Sequence, residues 1–106
     1  SSDYRLKENV DYSWDATTRL KQLKPARFNW IADSSNTLQD GFLAHEVSSV
    51  VPEAVGGDKD ATETYDDENG DEQTRIKPQQ IDLSKLVPLL VKTIQELEAR
   101  IATLEA

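Results

Sequence analysis

The sequence lacks cysteine, is poor in apolar residues and contains no long hydrophobic run. Without cysteine, disulfides and thiolate metal sites are excluded, and the redox compartment stays open. No apolar run approaches the roughly 20 residues that a membrane-spanning helix needs, and no secretory signal is visible, so we expect no membrane partner. Only 37% of the residues are hydrophobic and 30% are charged. We therefore expect part of the chain to be solvated loop, or part of its core to come from another subunit.

Positive charge is also scarce, and the negative charge is concentrated in one segment. The formal net charge is −8. Residues 57–73 hold eight of the twenty acidic residues and only Lys59 as a base, so this segment carries −7 and the rest of the chain about −1. Because nucleic-acid binding depends on clustered lysine and arginine, the absence of a basic patch argues against a nucleic-acid partner.

The acidic segment contains the strongest local turn signal of the chain, Asn69-Gly70, because both residue types tolerate positive φ. We expect residues 62–65 and 73–77 to form the arms of an exposed hairpin, with disorder as the alternative. A calcium loop of the helix–loop–helix type would need an acidic first ligand. Counting back from Gly70 places Tyr65 there, so the pattern fails and no metal site is predicted.

Shorter patterns predict a small mixed head before the acidic segment. The stretch YSWDATTRLKQLKP is expected to form a short helix that Ser13 or Asp15 caps. Apolar and polar residues alternate in ARFNW, residues 26–30, which predicts a strand. GFLAHEVSSVVPEAV is expected to give a strand at residues 42–44 and then a brief helix that Pro52 stops.

The C-terminal segment carries a heptad repeat, which predicts a long amphipathic helix. Its apolar seam positions alternate four and three residues apart: Leu83, Val87, Leu90, Ile94, Leu97, Ile101 and Leu104. Glu96 precedes Arg100 by four residues, the favourable order for an ion pair within a helix. Pro88 must lie in the first turns of this helix or kink it.

A helix with this seam either packs on its own head or associates with copies of itself, and we favour self-association. Isoleucine or valine alternating with leucine favours a parallel dimer. Near the start, however, Leu86, Leu89 and Val91 widen the apolar face. That surplus would pack on the head or accommodate a third strand, so the pattern alone leaves dimer and trimer open.

Four blocks of the sequence follow one another along the chain: SDYRLKENV, LKQLKPARFNW, GFLAHEV followed by VPEAV, and LSKLVPLLVKTIQELEARI. Together they resemble the C-terminal self-cleaving intramolecular chaperone domain of phage tail spikes, tail fibres and endosialidases, except over residues 57–77. The resemblance implies an α+β fold, with a small mixed α/β head followed by a long C-terminal helix that forms a parallel trimeric coiled coil. The implied organisation is a head with the cleavage motif (1–55), an acidic exposed hairpin or arm (56–80) and a coiled-coil helix (81–106).

The resemblance also implies a function. Such a domain helps a trimeric, β-rich phage protein to assemble and then cuts itself off. The implied partners are two further copies of the chain and the upstream spike or fibre region of the same precursor, without a cofactor. The implied location is the cytoplasm of the infected bacterium, and the released domain would be absent from the finished virion. Intertwined β-structures fold slowly and tend to aggregate, and bringing three chain ends together raises the effective concentration of everything upstream.

The roles of individual residues also follow from the resemblance. Cleavage in the family falls before the serine of an S-D-x-x-L-K block, and that serine and lysine form the catalytic pair. Carried over, Ser2 is the nucleophile, Lys7 is the base and Ser1–Ser2 is the scissile bond. A lysine acts as a base only when neutral, which burial or nearby positive charge favours. A cut one residue earlier would make Ser1 the nucleophile, but Ser-Asp is the motif pair. Attack within one chain and attack between protomers both remain open.

Three further residues lie in the matching blocks. His45 falls where the resemblance puts a functionally implicated histidine, and we expect it to orient or protonate a group near the scissile bond. The alternative is a structural histidine at a strand–helix junction. Asp3 and Glu46 are expected to be supporting residues. Asp3 either holds the turn at the cleavage site or is simply a solvated aspartate.

Two other classes of function compete with this one. The first is a non-catalytic trimerisation or receptor-binding tip of a phage fibre, in which the serine–lysine pair is incidental. It explains the heptads and the acidic surface equally well. The second is an enzyme that acts on other molecules. It lacks support, because the sequence has no ligand-cradling glycine loop and no converging carboxylate pair.

Overall fold

A computed structural model describes all 106 residues and shows a head of short elements followed by one long helix. The helices are α1 (Thr17–Leu20), α2 (Ala44–Ser48) and α3 (Val87–Glu105), and 3₁₀ turns cover Tyr4–Leu6, Pro52–Ala54 and Leu83–Leu86. The strands are β1 (Ala26–Phe28), β2 (Gln39–Gly41), β3 (Val55–Gly56), β4 (Thr62–Asp66), β5 (Glu72–Ile76) and β6 (Gln80–Ile81). They pair as three two-stranded antiparallel sheets, β1–β2, β3–β6 and β4–β5. The predicted mixed α/β head with a C-terminal helix is confirmed.

Some head elements are shorter than the sequence pattern predicts, or shifted from it. The first helix forms only over Thr17–Leu20. Of the two predicted caps, Asp15 lies at the start of this helix, where its carboxylate accepts a hydrogen bond from the Thr18 hydroxyl at 2.7 Å. Ser13 instead donates its N–H and its hydroxyl to the Asp11 carboxylate.

The strand predicted at residues 42–44 lies three residues earlier. Its backbone pairs with β1 there, with Gly41 opposite Ala26. The Phe28 ring lies so close to Gly41 that a Cβ would meet it at 3.0 Å. A glycine at this position therefore lets the ring cover the strand pair.

A small core holds the head against the start of α3. Its members are buried apolar side chains: Ala16, Val47, Val51, Ala54, Leu86 and Leu89. Leu86 and Leu89, two of the surplus apolar residues at the start of the helix, therefore pack on their own head. Pro88 lies in the first turn of α3, where its missing N–H has no partner to lose. None of the helices is long and apolar enough to cross a membrane.

Strands β4 and β5 form the predicted exposed hairpin. Their register runs from Thr62 opposite Ile76 to Asp66 opposite Glu72. Of the predicted turn pair Asn69-Gly70, only Gly70 adopts a positive φ (78°). The Gly70 N–H donates to the Asp67 carbonyl at 3.0 Å, and residues 67–71 connect the two strands.

The single chain is extended and exposes more surface than a compact domain of its size. Its extents are 71 × 40 × 21 Å and its radius of gyration is 19.6 Å, against about 13 Å for a compact domain of this length. Its accessible surface is 8898 Å², whereas a globular monomer of 11.9 kDa exposes roughly 6,000 Å². About 2,900 Å² of surface is thus left uncovered relative to such a monomer.

Candidate functional site

One face of α3 and the preceding 3₁₀ turn carries the heptad seam and is uncovered in the single chain. All seven seam residues are exposed, from 41% at Leu97 to 84% at Leu104: Leu83, Val87, Leu90, Ile94, Leu97, Ile101 and Leu104. Another face of α3 packs on the head, where Leu89 and Thr93 are buried. The helix therefore presents a continuous apolar stripe that its own head does not cover.

The N-terminal residues form a turn organised by Asp3. The Asp3 carboxylate accepts the Arg5 backbone N–H at 2.9 Å and pairs with the Arg5 guanidinium at 2.9 Å. The pKa of Asp3 is lowered from its ordinary value, first by the hydrogen bond from the Arg5 side chain and then by the one from the Arg5 backbone. The Lys7 N–H donates to the Tyr4 carbonyl at 3.2 Å and closes the turn. Asp3 thus shapes the backbone between Ser2 and Lys7.

Ser2 and Lys7 flank this turn, and both are exposed. The side-chain hydrogen bonds of the turn involve Ser1, Asp3 and Arg5, and none joins Ser2 to Lys7. The single chain therefore lacks the serine–lysine hydrogen bond that a catalytic pair uses. Their catalytic roles stay predictions.

His45 lies in α2 and faces an open cleft. The cleft is lined by Lys21, Gln22, Lys24, Glu46, Ser49 and Val50. Glu46 faces Lys24 across it, with carboxylate and ammonium 3.7 Å apart. No residue of the N-terminal turn lines the cleft, so the cleft brings together His45 and Glu46 without Ser2 or Lys7.

Sequence reasoning missed a contact between α3 and the chain that follows the N-terminal turn. The Glu96 carboxylate accepts hydrogen bonds from the N–H groups of Ala16 (3.1 Å) and Thr17 (2.8 Å) and from the Thr17 hydroxyl (2.6 Å). These bonds lower the pKa of Glu96, the Thr17 hydroxyl having the largest effect. Lys92 Nζ donates to the Tyr12 carbonyl at 2.7 Å.

The ion pair predicted between Glu96 and Arg100 is absent, because the start of α1 takes the carboxylate instead. A carboxylate is a favourable neighbour for the N–H groups that begin a helix. The sequence offers no signal for this partner, however, because Thr17 and Glu96 are 79 residues apart.

The fold and the exposed seam define a small mixed α/β head followed by an amphipathic helix. Residues 2–56, just over half of the chain, match the family Peptidase_S74, described as chaperone of endosialidase. The chain therefore belongs to this family, as the four sequence blocks predicted. The match includes the turn around Asp3 and the His45 cleft. No curated protein matches the sequence.

Proposed function

We propose that this chain is a trimeric intramolecular chaperone that promotes the folding and assembly of an upstream phage tail spike or tail fibre protein. It then releases itself by serine–lysine autoproteolysis just before Ser2. The observation that carries the proposal is that the entire heptad seam is uncovered in the single chain. The chain also belongs to a family of chaperones.

The uncovered surface supports association. If a trimer covered the excess of about 2,900 Å² per chain, its three interfaces would each bury about 2,900 Å² in total, within the range of obligate complexes. Val91 lies beside the seam residues Val87 and Leu90 and is also exposed. This extra width favours three strands over the two that the seam residues alone suggest.

A trimer of this kind would promote folding by gathering the ends of three upstream chains. The gathering raises their effective concentration before slow, non-local β-pairing begins. In this proposal, residues 1–55 form the head with the cleavage motif and residues 81–106 the coiled coil. Residues 56–80, with the acidic hairpin, act as an arm that contacts the upstream region. The work takes place in the cytoplasm of the infected bacterium.

Release follows by attack on the bond before Ser2. Ser2 Oγ forms a bond to the carbonyl carbon of Ser1, while Lys7 Nζ accepts the hydroxyl proton. The Ser1–Ser2 amide bond breaks, and the departing Ser2 amine takes up a proton. Water then hydrolyses the resulting ester, which leaves a carboxyl group on Ser1 and restores the Ser2 hydroxyl. His45 and Glu46 are auxiliary to this step. After the domain is lost, the upstream product is kinetically trapped in its folded state. The finished virion then lacks the domain.

A non-catalytic trimerisation or receptor-binding tip is the second candidate. One observation favours it, since no hydrogen bond joins Ser2 to Lys7 in the single chain. A tip of this kind would keep the seam and the acidic hairpin but stay covalently attached.

The chain with its native upstream residues restored separates the two candidates. Its products are compared with those of Ser2→Ala and Lys7→Ala, and the matched controls are Ser1→Ala and Lys77→Ala. Self-release predicts a fragment that begins at Ser2 in the parent and in both controls and is absent from the two test variants. Full-length chain in every sample, under conditions where the trimer forms, would exclude self-cleavage and support the non-catalytic tip.

A further inference from the structure

We propose that Lys92 and Glu96 are positioning residues for self-cleavage. They anchor residues 12–17 to α3, so the helix that carries the seam also fixes where the Ser2–Lys7 turn lies. This inference rests on the proposed function and names two residues that its chemistry does not use.

The two anchors act as a pair on one side of α3. They are four residues apart, so their side chains lie one above the other on the helix surface. Neither belongs to the seam. Lys92 holds the Tyr12 carbonyl and Glu96 holds the start of α1, so the two ends of residues 12–17 are attached to adjacent turns of one helix.

The side chains between these ends lie along the same helix. Tyr12 and Trp14 line a groove together with Val87, Pro88, Val91, Lys92 and Gln95. Ala16, which donates its N–H to Glu96, is completely buried. A buried N–H without an acceptor is unfavourable, so the Glu96 carboxylate satisfies a group that the four-residue helix α1 leaves unpaired.

The anchor is close enough to the turn to limit its position. Lys7 and Tyr12 are five positions apart in the sequence, and an extended chain over five positions spans at most about 17 Å. Between them, Asn9 adopts a left-handed backbone with a φ of 54°, which bends the chain. Misplacement of reacting groups by about 1 Å can lower a rate ~100-fold. Detaching residues 12–17 from α3 is therefore expected to slow cleavage without touching the reacting atoms.

The test uses the chain with its upstream residues restored. It compares Lys92→Met and Glu96→Gln with the parent and with Glu98→Gln, a control on the same helix whose exposed carboxylate makes no hydrogen bond. For each variant we would measure the fraction of trimer, the cleavage rate at full trimerisation and the amide exchange of residues 12–17. Lys92→Arg is the rescue variant, because its guanidinium still donates to the Tyr12 carbonyl.

The expected result is intact trimer, faster exchange over residues 12–17 and cleavage slowed about 10- to 100-fold in Lys92→Met and Glu96→Gln. Glu98→Gln and Lys92→Arg should cleave at nearly the parental rate. Parental rates in both test variants would overturn the positioning role alone, as would slowing that only follows loss of trimer. A parent that never cleaves would overturn the proposed function, and the positioning role with it.

Discussion

Replacing Ile94 with serine tests whether the exposed seam is the surface through which copies of the chain associate. Ile94 is 65% exposed in the single chain, so association would cover about two thirds of its side chain. Full burial of an isoleucine stabilises by about 1.5–3 kcal/mol. The substitution should therefore cost about 1–2 kcal/mol per chain, or about 3–6 kcal/mol per trimer. At ~1.4 kcal/mol for each factor of ten, the association constant should fall by about two to four orders of magnitude.

Sedimentation of the isolated domain over a dilution series measures this shift. Isoleucine and serine have similar helix propensities, so a change in the association constant would report on the seam and not on the helix. The matched control is Ile31→Ser, since Ile31 is fully exposed outside the helix. Dissociation of Ile94→Ser at the same concentration as the parent would show that the seam is not the interface, and the reasoning from the uncovered stripe would be wrong.

Three further predictions concern the head and its attachments. Leu89→Ala removes a buried side chain from the core between the head and α3, and thermal or denaturant unfolding should show a loss of about 2–5 kcal/mol. Replacing residues 62–76 by a short glycine–serine linker should leave the melting temperature of the domain nearly unchanged, because Ala61 and Lys77 are already hydrogen-bonded neighbours. The same change should lower the yield of folded upstream protein, and an unchanged yield would show that the hairpin does not act as an arm on the upstream region. Because the pKa of Glu96 is lowered in the fold, its contribution to stability is complete above the ordinary carboxyl value of about 4.3 and is lost as the pH falls through the lower folded value. The difference in melting temperature between the parent and Glu96→Gln should therefore shrink in acid, and a constant difference would contradict the contact.

Local periodicity predicted the elements that depend on neighbours along the chain. The heptad spacing predicted the long helix, and the brief helix predicted before Pro52 forms as α2. Pairing between distant segments was harder to predict. Strand β2 lies where its backbone meets β1 and where Gly41 accommodates the Phe28 ring, and the alternation of apolar residues carries no information on that contact.

The candidate site shows the same limit. The motif blocks singled out Ser2, Asp3 and Lys7 in one segment and His45 and Glu46 in another, but no pattern along the chain says how these segments lie in space. The contacts of Glu96 were missed because the spacing rule for ion pairs considers only one helix. Its actual partners are Ala16 and Thr17, at the start of another helix.

The most direct test of the account is native mass spectrometry of the precursor, with its upstream residues restored, followed over time. The account predicts precursor trimers first, and then a released trimer of domain chains that each begin at Ser2 and weigh slightly less than 11.9 kDa. Precursor trimers that keep full-length chains throughout would contradict self-release. Fragments that appear before any trimer forms would contradict the coupling of cleavage to assembly.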